Sequence, residues 1–243
     1  MKFKYYIPNA VTLLNLASGF IAITHVLAGQ LVWGGIFIFL AAVFDFLDGT
    51  LARLLDARSE LGKQLDSLAD VVSFGVAPGM IIYDLLSINC NGSCNFLDRV
   101  HITPYFALLI PVCSAIRLAK FNIDLRQEEH FIGLPTPANA LFFASIPLVL
   151  FLQPHLYSLI KLDFLQDFFA NNRVIAILTV FFSYLLISDF SIFSIKFKTL
   201  GLNENRIRYL FVLVSLILIL LFTLNAIPFI IILYLLLSFS TQN

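Results

Sequence analysis

Charge is what this sequence has least of. Asp, Glu, Lys and Arg make up 12% of its 243 residues, against roughly 25% in an ordinary soluble domain, and that excludes a water-facing surface over most of the chain. Three cysteines, two methionines and one tryptophan are too few for a disulfide scaffold or a cysteine-rich metal site. The formal net charge is zero and the pI near 6.9, so no nucleic-acid partner is expected. The four histidines, His25, His101, His130 and His155, have no acid or nucleophile at a useful spacing, and none is assigned to chemistry. There is no internal repeat and no low-complexity segment.

Apolar sequence is what fills the chain. Its hydrophobic content is 60%, its mean hydropathy +0.93, and it carries 26 Phe. Runs long enough to cross a bilayer, about 17–25 residues each, recur almost throughout. They place spans near 8–28, 31–53, 60–86, 102–122, 137–154, 173–190, 208–224 and 226–240, the last two joined by a tight hairpin at "NAIPF". The expected fold is all-α: a polytopic transmembrane helix bundle of about eight spans forming one membrane domain over 1–243. The first span carries Asn15 and Thr24 and lacks a small-residue cleavage site, so it is expected to be retained.

Lys and Arg fall unevenly about these spans. With the N-terminus inside, Lys2, Lys4, Arg53, Arg58, Lys63, Arg117, Lys120, Arg126, Lys196, Lys198, Arg206 and Arg208 share one side, and Arg99, Lys161 and Arg173 the other. The excess marks the first side as cytoplasmic. Cys90 and Cys94 then lie in an outward loop where a disulfide is chemically permitted, while Cys113 lies within a span.

Against this background residues 45–70, "DFLDGTLARLLDARSELGKQLDSLAD", stand out with six acidic side chains, three basic ones and two glycines. Asp45, Asp48, Gly49 and Ala52 share a helix face at the end of the second span; Gly62, Asp66 and Asp70 share one at the start of the third. The short connection makes the two helices antiparallel neighbours whose acidic faces can meet. Four carboxylates at a membrane boundary repel one another and are costly to desolvate, so a cation is expected among them. Oxygen ligands without His or Cys suit Mg²⁺, Mn²⁺ or Ca²⁺, and four carboxylates balance two divalent ions. Small residues at 49, 52 and 62 leave room for a phosphate group, which Arg53 can reach. Asp56, Arg58 and Glu60 read as solvated turn charges.

The segment reads D-x₂-D-G-x₂-A-R-x₈-G-x₃-D-x₃-D on Asp45, Asp48, Gly49, Ala52, Arg53, Gly62, Asp66 and Asp70. It resembles the signature of the CDP-alcohol phosphatidyltransferases. The resemblance implies that Asp45, Asp48, Asp66 and Asp70 bind two divalent cations, Mn²⁺ or Mg²⁺, that hold a CDP-linked diphosphate, and that Asp70 is the general base. It also implies a homodimer.

Further stretches narrow the resemblance. "IPNAVTLLNLASG", "DVVSFGVAPG", "IRLAKFNI", "FIGLPTPANA" and, more loosely, "SYLLISDFSIFSIKF" are similar to bacterial membrane-embedded phosphatidylserine synthases. What this implies is transfer of a phosphatidyl group from CDP-diacylglycerol to the hydroxyl of L-serine, releasing CMP, at the cytoplasmic face of a bacterial inner membrane. Residues 1–198 are then the six-helix catalytic core and 199–243 a C-terminal hairpin. CDP binding falls to Asn9, Thr12 and Asn15, at spacing three on the first span, with Gly49, Ala52, Arg53 and Gly62; the competing reading of the first three is hydrogen bonding between helices. Serine binding falls to Arg117, Lys120 and Asn122, the competing reading of the two cations being positive-inside anchoring. Pro135 and Pro137 read as a rigid turn before the fifth span.

Two rival functions remain at this level. One is the same chemistry with glycerol 3-phosphate or an inositol phosphate as acceptor, which would want a denser basic pocket. The other is a cation or proton transporter, since intramembrane carboxylates also mark ion paths, although such acids are expected nearer the bilayer midplane or on broken helices.

Overall fold

A computed structural model describes residues 6–88, 102–123, 131–160, 162–192 and 205–240. Ten α-helices make up most of the described residues: α1 (Tyr6–Leu27), α2 (Leu31–Leu54), α3 (Glu60–Asp70), α4 (Ala77–Ile88), α5 (Leu109–Ile123), α6 (Thr136–Pro147), α7 (Asp163–Ala170), α8 (Asn172–Ile187), α9 (Arg206–Phe222) and α10 (Ala226–Ser240). The described β structure is one antiparallel bridge between β1 (Phe131–Ile132) and β2 (Ser191–Ile192). The protein is an all-helical, multi-pass membrane protein. Among the described residues six helical runs are long and apolar enough to cross a bilayer, or seven when the bent pair α7–α8 counts as one span. Cys90 and Cys94 lie outside the described residues, as do Lys2, Lys4, Arg99, Arg126, Lys161, Lys196 and Lys198.

Local chemistry fixes the helix ends near the acidic segment. Helix α3 starts at Ser59, whose Oγ accepts from the Gly62 N–H at 3.0 Å, with Glu60 in the first turn; both features favour a helix N-terminus. Helix α3 runs without a break through a π-helical stretch, Val71–Val76, into α4. A second π-helical stretch, Leu148–Leu152, follows Pro147, whose missing N–H interrupts the α pattern.

The second span and the third, α3 to α4, are neighbours as expected: α2 touches the π-helical stretch and α4, while α1 packs along α2 and also against α3 and that stretch. Close approach of α1 depends on Gly19, where an added Cβ would lie 2.7 Å from the Ser73 Cα. Small residues at such crossings are how membrane helices gain packing contacts.

Two differences concern the C-terminal half. Helix α7 is a short amphipathic segment bent 81° from α8, in a stretch expected to be loop. The last hairpin turns at Thr223–Asn225, two residues before the anticipated turn. There Thr223 takes a positive φ of 51°, and Gln153 Oε1 accepts from Thr223 Oγ1 at 2.7 Å and from the Leu224 N–H at 3.0 Å. Pro228 falls in the first turn of α10, where its lacking N–H leaves no helix bond unmade. No residue of α9 is buried, whereas α10 packs on α6 and buries Ile231, Tyr234 and Leu235.

Candidate active site

Asp45 and Asp48, three residues apart on α2, meet Asp66 of α3. One carboxylate oxygen from each lies within 4.8 Å of the others. Asp48 Oδ2 and Asp66 Oδ1 are buried without a hydrogen-bond partner. Unpaired buried anions are strongly unfavourable, and an all-oxygen set of three carboxylates answers that cost by fitting a hard divalent cation. The residues present thus fit the metal the sequence called for.

Asp70 is outside this tightest group but lies within electrostatic reach of all three of its acids. It is 6% exposed, and its Oδ1 accepts from Asn15 Nδ2 at 3.1 Å. Asn15 is itself fixed at its main chain, because Ser73 Oγ donates to the Asn15 carbonyl at 3.0 Å. The π-helical stretch starts at the residue after Asp70. Wider helical turns of this kind occur often at functional sites, where they re-aim side chains. Asn15 therefore bonds across helices to Asp70, the competing reading of its place on the polar stripe, and it is not among the residues lining the cavity described next.

A cavity of about 730 Å³ opens beside the carboxylates, within the size range of nucleotide-sized ligand sites. Asn9 and Thr12 of α1, Gly49, Ala52 and Arg53 of α2, and Gly62 of α3 all line it, together with Asp48 and Asp66. Thr12 lies against the Asp48 carboxyl group. A Cβ at Gly49 would meet nothing within 4 Å, so this position faces open space. Arg53 Nε donates to the Gly49 carbonyl at 2.9 Å, which lays the guanidinium back along its own helix.

Arg58 and Glu60 also line this cavity, with Ser59 and Lys63. Arg58 and Glu60 are both exposed, as expected of solvated charges in the turn. Lys63 Nζ reaches the Asn122 carbonyl at 3.1 Å, tying the start of α3 to the end of α5. The cap pattern S-E-L-G was the signal in the sequence that could have placed Arg58 and Lys63 at the site.

The three expected serine-binding residues are not brought together. Arg117 is buried, and its Nη1 donates to Thr136 Oγ1 at 2.8 Å. Lys120, one turn later, is exposed. Asn122 Nδ2 donates to Ser67 Oγ at 2.8 Å. Arg117 lies within electrostatic reach of Asp70.

Fold and site define a polytopic helical membrane protein with an oxygen-donor metal site beside a polar cavity. The chain belongs to the CDP-alcohol phosphatidyltransferase family, which matches residues 5–185. It is 34% identical to the CDP-diacylglycerol–serine O-phosphatidyltransferase of Bacillus subtilis over 187 residues, covering 75% of this chain and 87% of that protein. It is 36% identical over 141 residues to the enzyme of the same name from Mycobacterium leprae, covering 55% of this chain but only 44% of the mycobacterial protein. The archaetidylserine synthase of Methanothermobacter thermautotrophicus is 35% identical over 142 residues, 57% of this chain and 56% of that one.

Proposed function

We propose that this protein is a CDP-diacylglycerol–serine O-phosphatidyltransferase: it transfers the phosphatidyl group of CDP-diacylglycerol to L-serine, giving phosphatidylserine and CMP. The observation that carries the reading is the division of labour among the acids. Asp45, Asp48 and Asp66 bring carboxylate oxygens within 4.8 Å of one another, two of them lining the cavity with an orphaned oxygen each, while the fourth acid, Asp70, accepts from the Asn15 amide. Relatives bearing this activity in their names, at 34–37% identity, support serine as the acceptor.

In this mechanism the CDP moiety occupies the cavity, with Asn9, Thr12, Gly49, Ala52 and Gly62 around it and Arg53 near the diphosphate; Asn15 acts through Asp70. Asp45, Asp48 and Asp66 hold divalent cations, with Asp70 adjacent; two ions, Mg²⁺ or Mn²⁺, match the charge of the four acids. When bound, such ions neutralise the diphosphate and favour departure of the nucleotide. Asp70 takes the proton of the serine hydroxyl. The freed oxygen pair forms a bond to the lipid-side phosphorus, the anhydride bond to the CMP phosphate breaks, and CMP leaves with that electron pair. Of the two serines within the acidic motif, Ser59 caps α3 and Ser67 Oγ donates to the Lys63 carbonyl, and neither has a base to activate it as a nucleophile, so displacement is direct. Arg117 holds the serine carboxylate, with Lys120 and Asn122 in flanking roles.

The same reading includes the finer architecture. Eight spans, with α9 and α10 each crossing once, comprise a six-helix core over 1–198 and a hairpin over 199–243 within one membrane domain. The ring of Phe211 on α9 lies 5.9 Å from that of Tyr234 on α10, which supports two antiparallel crossings. The site faces the cytoplasm of a bacterial inner membrane, as the distribution of Lys and Arg favours, and the working unit is a homodimer. A cavity at that boundary lets the nucleotide remain in water while the acyl chains stay in the leaflet.

The test is CMP release by purified protein in detergent with CDP-diacylglycerol and Mg²⁺ or Mn²⁺, supplying serine, glycerol 3-phosphate or an inositol phosphate separately, with a chelator control. Metal-dependent release with serine alone is the expected result. Release with another alcohol overturns the acceptor, and no release from folded protein overturns the transferase reading.

A further inference from the structure

Helix α8 turns one stripe to the outside of the bundle. Arg173, Ala176, Ile177, Val180, Phe181 and Tyr184 recur at i, i+3, i+4, i+7, i+8 and i+11, the spacing of a single helix face. All but Arg173 line a groove of about 500 Å³, closed on its other side by Phe106 from the 3₁₀ turn Thr103–Leu108 that leads into α5. Ile177 is 68% and Tyr184 64% exposed, so the groove is open sideways, where a membrane protein meets hydrocarbon. Helical side chains lean toward the start of their helix, which aims this stripe at Arg173. The Arg173 side chain is itself exposed.

The groove lies in the leaflet across from the acidic site. Asn172 Nδ2 donates to the Leu86 carbonyl at 3.4 Å, pinning the start of α8 to the end of the third span. Leu86 stands 16 residues beyond Asp70 (86 − 70), about 24 Å at 1.5 Å per residue. From Arg173 to Tyr184 is 11 residues (184 − 173), or about 16 Å, close to half of a hydrocarbon core about 30 Å thick. A guanidinium at the head of an apolar trough one leaflet long has the outline of a phospholipid.

We propose that this groove is a binding site for one phospholipid of that leaflet: Arg173 holds the phosphate, and an acyl chain runs past Ile177 and Phe181 toward Tyr184, against Phe106. A guanidinium fork takes two phosphate oxygens at once, and the long Arg stem lets its head stay at headgroup depth while the helix below is in hydrocarbon. The chain restores the dispersion contacts that the lining of an unfilled groove forfeits, and it covers the seam where α8 packs on α5 and on the turn before it. This resident lipid is separate from the lipid substrate of the proposed transfer, whose site is in the other leaflet, and its binding is the same whichever alcohol accepts the phosphatidyl group.

The full chain, freed of lipid in detergent and titrated with phosphatidylglycerol, is read by native mass spectrometry as wild type, Arg173→Ala, Ala176→Phe and Leu216→Ala, the last on the exposed face of α9 as a control. Wild type and L216A are expected to retain one lipid per chain with saturation. R173A should bind it about fivefold more weakly, the contribution of one basic side chain at an anionic lipid surface, and A176F, which puts a ring into the groove, about tenfold more weakly or worse. Glycerol phosphate, which has the phosphate but no acyl chain, should not displace the lipid. Equal retention by all four proteins, or uptake that rises without saturating, overturns the proposal. So does full retention by R173A, displacement by glycerol phosphate, or a lipid-free wild-type dimer that A176F dissociates, which would give the groove to a second copy of the chain. Should A176F fail to accumulate in membranes, R173A, which alters only an exposed side chain, decides by itself on the same criterion.

Discussion

Asn15 donates from Nδ2 to Asp70 Oδ1 at 3.1 Å, and both side chains are buried. The pair links the first span to the third at the place where the α-helix widens into a π-helical stretch. It gives Asp70 a fixed partner, and a fixed partner is what a proton acceptor needs if it is to meet a hydroxyl in one geometry.

Replacing Asn15 with Ala is expected to lower kcat by about tenfold, since it leaves a buried carboxylate without its donor and free to turn. Nucleotide affinity should hold within about threefold. A rise in the CDP-diacylglycerol KM at unchanged kcat would instead make Asn15 a nucleotide contact. Steady-state rates against each substrate separate the two.

Asp70→Asn removes the group that accepts the proton and nearly preserves its shape. Turnover should fall by about 10²–10⁴, the range for loss of a general base, while CDP binding measured by calorimetry persists. Turnover near wild type would exclude Asp70 as the base.

Asp48→Asn and Asp66→Asn each remove a charge from the group of three that lies within 4.8 Å. Changes in groups that merely support ligands typically cost about 10–100-fold in metal affinity, so Mn²⁺ affinity followed by electron paramagnetic resonance should fall at least that far. Chelation of the wild type should abolish CMP release, and Mg²⁺ or Mn²⁺ should restore it. Mn²⁺ binding that survives both substitutions would exclude this cluster as the metal site.

Arg58→Ala tests the turn that folds over the cavity. Arg58 is exposed, so its pull on a diphosphate is screened and its loss should raise the CDP-diacylglycerol KM by only about two- to fivefold. The difference from wild type should shrink as salt rises, because exposed charges are screened within about 10 Å at 0.1 M ionic strength. An unchanged KM at low salt would return Arg58 to a solvated turn.

Gly19→Val places side-chain atoms where the Ser73 backbone already stands. Overpacking of this kind costs about 1–3 kcal/mol and pushes α1 away from the π-helical stretch, carrying Asn15 off Asp70. Thermal stability in detergent should drop, and kcat should fall more than nucleotide affinity. Equal stability and activity would show that α1 and this stretch can separate without cost.

The sequence by itself determined the membrane class, because long apolar runs have no other stable environment, and most span limits fell within a few residues of the helices observed. It also determined which acids and small residues share a face: a spacing of three or four puts side chains on one helix face whatever the rest of the fold does. Asp45, Asp48, Gly49 and Ala52 were legible for that reason. Only the tertiary structure decided that α1 stands against both acidic helices, that Asn15 therefore serves Asp70, and that Arg117 is buried while Lys120 is exposed. The place of Arg58 at the cavity and the burial of Tyr234 belong to the same category. Their positions depend on how one helix rotates and leans on another, and in a chain apolar on nearly every face the hydrophobic pattern carries little information about which face turns inward; close packing of small residues and the pairing of a few buried polar groups settle it.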